Sequence, residues 1–149
     1  DIARRTVRDK GLTRFIAVCL LSGYGWLLLA GAIILGAGLV PGSAAYDAAL
    51  HALFLGFVFA MVFGHAAIIF PAVLRVKVPY APVFYLPLAL LHASVALRLA
   101  GDATGSTDVL RSGGIANGVA LAAFIVTMVV AVVRGRASKP PSVRAGPRG

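Results

Sequence analysis

Apolar residues dominate this chain in four long blocks, separated by short stretches where Pro, Gly, Asp and basic residues gather. The blocks run over 15–40, 48–74, 80–100 and 115–133. A bilayer span takes about 20 mostly apolar residues at about 1.5 Å of rise per residue. Each block meets or nearly meets that length. The pattern predicts an all-α integral membrane protein, a bundle of four transmembrane helices. A basic segment (1–14) precedes the bundle (15–133), and a basic, Pro-rich tail (134–149), read as disordered, follows it.

The boundaries carry helix signals. Pro41-Gly42 is expected to stop the first span and Asp47 to cap the second. Pro79 and Pro82 open the third, and Pro87 is expected to kink it. Gly56, Ala60 and Gly64 recur every fourth residue of span two, and Gly114, Gly118 and Ala122 do so in span four. Such stripes let helix backbones approach closely. Asn117 is expected to bond across helices. The chain begins at Asp1, as expected of a processed or longer polypeptide. Span one is longer than a signal-peptide core and is read as retained.

Composition agrees: 60% of the 149 residues are hydrophobic and only 13% charged, against about 25% charged in soluble domains. The net charge is +9, but its placement argues against nucleic acid. Twelve of the fourteen basic residues lie before span one, between spans two and three, or after span four; only Arg98 and Arg111 do not. This is the positive-inside pattern. It puts both termini in the cytoplasm, the loops around 41–47 and 102–111 outside, and the protein in the inner (cell) membrane, its basic ends on anionic lipid. The single cysteine, Cys19, has no partner for a disulfide and reads as a packing residue. All five acids are Asp, at or beyond the span edges. No intramembrane carboxylate relay, nucleophile–base triad or nucleotide motif is visible.

The chemistry rests on three histidines at membrane depth, where ionisable groups are costly. On a regular helix His51 and His65 fall about 40° from eclipsed and about 21 Å apart, so they share a face. That spacing suits imidazoles presented to haem irons at two depths. His92, on the antiparallel third span, comes within about 5 Å of the depth of His65, so those two can ligate one metal or haem iron. His51 is a second ligand position. Met61, one turn before His65, is an alternate for haem or copper. Each histidine can instead be a neutral group bonded to a carbonyl or hydroxyl. Arg98 is expected to snorkel or to meet a haem propionate. Tyr24, Trp26, Tyr80 and Tyr85 read as belt or packing aromatics.

The stretch from His51 to His65, continuing to Val73, resembles the membrane helices of NnrS-type haem–copper proteins. It is more distantly similar to subunit I of haem–copper oxidases. The resemblance implies haem or copper ligation by His51 or His65. A second set of histidines, which an oxidase-type binuclear centre needs, is missing. Two functions follow as expectations. One is a membrane protein with haem b or copper as cofactor, in electron transfer or small diatomic ligand (NO or O2) handling, with a redox partner. The other is a cofactor-free accessory subunit of a larger membrane complex. A homo-oligomer is compatible with both.

Overall fold

The computed structural model describes residues 11–75 and 80–137, with the side chain of Ala137 excepted. All the regular structure among them is helical: α1 (Leu12–Ala37), α2 (Ala44–His51), a π-helical segment (Ala52–Val58), α3 (Phe59–Leu74), a 3-10 turn (Pro82–Phe84), α4 (Tyr85–Thr104) and α5 (Thr107–Ala137). The segments from α2 to α3, and from the 3-10 turn to α4, are each continuous. Four helices are thus long and apolar enough to cross a membrane.

The ends differ from expectation in ways local chemistry explains. α1 stops before Pro41-Gly42, because Gly38 takes φ +73° and its N–H bonds the carbonyl of Ile34 at 2.9 Å. Span two is capped by Ser43 rather than Asp47: the Ser43 hydroxyl accepts from the Tyr46 N–H at 3.1 Å, and Asp47 sits inside the first turn. There its charge favours the helix start. Pro87 is the third residue of α4, directly after the 3-10 turn that starts the helix at Pro82. The expected outside loop at 102–111 is almost wholly helical. Gly105 at φ +66° caps α4, Ser106 returns its N–H to Gly101, and α5 begins at Thr107. Helix also reaches past the apolar blocks at the two ends of the bundle, into 12–14 and 134–137. The remainder of the two terminal segments lies outside the described residues.

Two close helix pairs build the bundle. α1 packs along span two, and α4 packs antiparallel to α5. A Cβ at Gly101 would stand 2.7 Å from the Leu110 nitrogen, and one at Gly113 would stand 2.8 Å from the Arg98 backbone. The expected stripe of span two does face a neighbour. Gly56 lies under the Trp26 side chain, Ala60 is fully buried, and a Cβ at Gly64 would sit 3.1 Å from the Cβ of Cys19. The expected stripe of span four does not: a Cβ at Gly118 would meet nothing within 4 Å. The packed face of α5 is instead Gly113, Asn117, Ala120, Phe124, Met128 and Ala131. Asn117 is buried there, and its Oδ1 has no hydrogen-bond partner among the described residues.

The pairs join through an apolar core. Phe63 of α3 stacks on Phe124 of α5 with centroids 3.8 Å apart. Phe15 of α1 meets Tyr85 edge-on at 5.2 Å and Phe84 at 5.8 Å. Cys19 is fully buried among these groups, a packing residue as expected.

A side chain at Gly56 would drive into the indole of Trp26, with Cβ and Cδ2 2.6 and 2.8 Å away. Gly56→Leu is therefore expected to lower stability by about 1–3 kcal/mol through overpacking. Gly118→Leu, in open space, should leave it unchanged. Thermal unfolding of both variants in detergent measures the contrast.

Candidate functional site

Each of the three histidines has a different environment, and the structure does not gather them. His92 sits half-buried on α4 with both ring nitrogens turned to α1. The Trp26 Nε1–H donates to His92 Nδ1 at 2.9 Å, and His92 Nε2 lies 2.9 Å from the Ser22 hydroxyl. An indole N–H can only donate, so Nδ1 accepts and the neutral ring carries its proton on Nε2. Nε2 then donates to Ser22 Oγ, and the Ser22 hydroxyl donates to the carbonyl of Val18 at 2.7 Å. The whole chain of donors and acceptors closes with none left over. The indole and imidazole ring centres are 6.2 Å apart and their planes 27° from parallel.

His51 belongs to a polar cluster at the opposite end of the bundle from Arg75. Its Nδ1 donates to the Asp47 carbonyl at 2.8 Å and lies 3.3 Å from the Asp47 carboxylate. Arg98 reaches the same carboxylate oxygen through Nε at 3.1 Å and Nη2 at 2.8 Å. Its Nη1 donates to the Leu110 carbonyl at 3.1 Å. The guanidinium thus ties α2, α4 and α5 together, where the sequence suggested snorkelling or a propionate. Asp102 faces this cluster, with Oδ2 buried and without a hydrogen bond.

His65 is exposed on α3. Its Nδ1 lies 2.7 Å from the Met61 carbonyl. A carbonyl only accepts, so Nδ1 carries the proton and Nε2 keeps a bare lone pair. No described residue partners Nε2. Around it Val58, Met61, Val62, Ala66 and Ile69 line a shallow groove of about 360 Å³. His51 and His65 therefore do not share a face. The reason is the π segment between them: i→i+5 bonding winds less per residue than the regular helix on which the expectation rested.

Among the described residues, no three or more His, Cys, Asp or Glu side chains form a group that could hold a metal ion. His65 fits the role of a ligand, because a carbonyl on Nδ1 is the arrangement that orients a metal-binding imidazole. Met61 lines the same groove. His92 does not fit in this arrangement, since ligation would cost it the bond to Trp26 or to Ser22. Sequence reasoning missed Trp26 and Ser22 as its partners. The signal was present: they lie four residues apart, on one face of α1, each with a donor to satisfy.

A family model described as Domain of unknown function (DUF8744) matches residues 1–133, and the chain belongs to that family. No curated protein and no solved structure matches it.

The Trp26–His92 contact gives a direct prediction. Trp26 is the single tryptophan, so its fluorescence isolates this contact. His92→Leu strands the indole N–H and should cost about 1–3 kcal/mol with a shifted emission maximum. His51→Leu should leave the emission maximum in place. Fluorescence and thermal unfolding on the same samples provide the check.

Proposed function

We propose that this is a multi-pass protein of the inner (cell) membrane that handles a haem b or copper centre, in electron transfer or in binding a small diatomic ligand, with His65 as its ligand. The observation that carries the reading is the free Nε2 of His65. It lies ten residues before Arg75, hence about 15 Å along the helix from that basic end. This is about half the thickness of the hydrocarbon layer. An acceptor without a donor at that depth is costly, and a bound metal removes the cost. Bound iron or copper would supply one-electron chemistry or an open position for the diatomic ligand. The chain supplies a fixed tautomer, an apolar wall that excludes water, and the Met61 thioether beside it.

The second reading, a cofactor-free accessory subunit of a larger membrane complex, is favoured by the closed Trp26–His92–Ser22 chain. In that reading the intramembrane imidazole of His92 is a helix clamp. An absorption spectrum and metal analysis of the purified protein separate the two. A Soret band or stoichiometric copper, lost in His65→Ala and kept in His51→Ala, is the expected result. Colourless, metal-free and folded protein overturns it in favour of the accessory subunit.

The orientation proposed with it places both termini and the turn at Arg75 in the cytoplasm, from the twelve-to-two division of basic residues. Single cysteines at Ser43 and Ser106, in a Cys19→Ala background, should react with an impermeant reagent from outside the cell. Labelling from the cytoplasmic side alone reverses the topology.

A further inference from the structure

The polar cluster at the Arg98 end is one donor short. Asp47 and His51 of α2 meet Arg98 and Asp102 of α4 there. Arg98 sends Nε and Nη2 to Asp47 Oδ2 and Nη1 to the Leu110 carbonyl. Asp102 Oδ2 is shielded from solvent, and no described residue gives it a hydrogen bond. The Asp102 carboxyl lies within hydrogen-bond reach of the Asp47 carboxyl. Ionised carboxylates can only accept, so two of them in that contact repel, and one is driven to keep its proton. The charge count agrees. With His51 neutral, two carboxylates face one guanidinium, and a single added proton balances the set. The charged and titratable groups that bear on Asp102 are Asp47, Arg98 and His51. On the neighbouring helices, Asp108 and Arg111 of α5 are exposed, and α1 has no titratable residue over 27–37.

We propose that Asp102 and Asp47 hold one proton between them, and that this proton makes the joint of α2, α4 and α5 sensitive to pH, tight in acid and loosened in base. The step is proton binding alone. A proton from water forms an O–H on Asp102, that O–H donates to the Asp47 carboxylate, and no other bond changes. Water can deliver it, because Asp102 lies past the apolar block that ends at residue 100 and the Asp47 side chain is 38% exposed. The proton adds a second tie from α4 to Asp47, beside the one that Arg98 makes. Without it, two like charges press α2 and α4 apart at the residue that Arg98 uses to join them. The sign follows from proton linkage. In the unfolded chain Asp102 is an ordinary carboxyl that releases its proton near pH 4. The folded chain keeps that proton to higher pH. Its contribution to stability is therefore full in acid and is lost as pH rises through the point where the pair lets the proton go. The device is independent of the metalloprotein reading, whose ligand His65 lies on α3. In the orientation proposed above, it reads the pH outside the cell.

The test follows thermal unfolding of the full chain in detergent from pH 5 to pH 8, for wild type, Asp102→Asn and His51→Gln. A carboxamide donates an N–H to Asp47 at every pH, so Asp102→Asn imitates the protonated form. Its advantage in Tm over wild type should grow with pH, reaching about 3–6 °C at pH 8. His51→Gln should keep the wild-type trend, because its imidazole is not where the proton rests. Infrared difference spectra of the folded wild type should show a protonated-carboxyl C=O band that bleaches as pH rises and is missing in Asp102→Asn. A constant Tm difference between wild type and Asp102→Asn across the range overturns the proposal. So does a trend that vanishes in His51→Gln and survives in Asp102→Asn, which would put the proton on the imidazole. If Asp102→Asn does not fold, the wild-type spectrum decides alone: no protonated carboxyl at any pH in the range overturns the shared proton.

Discussion

The bundle depends on one close approach, where the Trp26 indole lies on the bare backbone of Gly56. Only a missing Cβ lets α1 come so near span two, and that nearness brings the indole N–H within reach of His92 on α4. Three helices are registered by this one stack. Ser22, one turn earlier on α1, takes the other imidazole nitrogen, so rotation of α1 in either direction breaks a bond. Hydrophobic burial alone sets no such register among helices that are apolar on most sides. Close packing and interhelical hydrogen bonds do.

The other two ties are of different kinds. At one end Arg98 holds Asp47 and the Leu110 carbonyl, so a single guanidinium joins α2, α4 and α5. Toward the other end Phe63 and Phe124 stack almost flat. The polar groups are thus concentrated between α1 and α4 and at the Arg98 end, and the apolar core fills the other end. His65 stands apart from all three ties. It is the imidazole that the packing of the chain does not use, which is why it carries the functional reading.

The four helices were legible because hydropathy over about 20 residues is a strong, local signal. The ends were less so: Gly38, Ser43 and Gly105 act through φ values and cap bonds that hydropathy does not register. The stripe of span two was legible and that of span four was not. Gly113 and Gly114 are neighbours on the chain, and four-residue spacing alone does not say which one begins the packed face. Among the candidate site residues, the sequence singled out His51, His65, His92 and Arg98 without their partners. Trp26 lies 66 residues from His92, and Asp47 lies 51 from Arg98. Contacts of that separation are set by the packing of whole helices. The π segment had no sequence signal at all, and it alone moves His51 and His65 onto different faces.

That segment makes span two a pair of rotors on a common shaft. A substitution on α2 tunes the Asp47–Arg98 cluster and leaves the azimuth of α3 alone, and the converse holds for α3. Loss of one residue between them is different in kind. It would let the i→i+5 turn relax to ordinary α-helix with α3 held where it is, whereas a residue lost within α3 would swing everything after it by about 100°. The π segment is thus the one place in span two where a change of length need not re-aim a face.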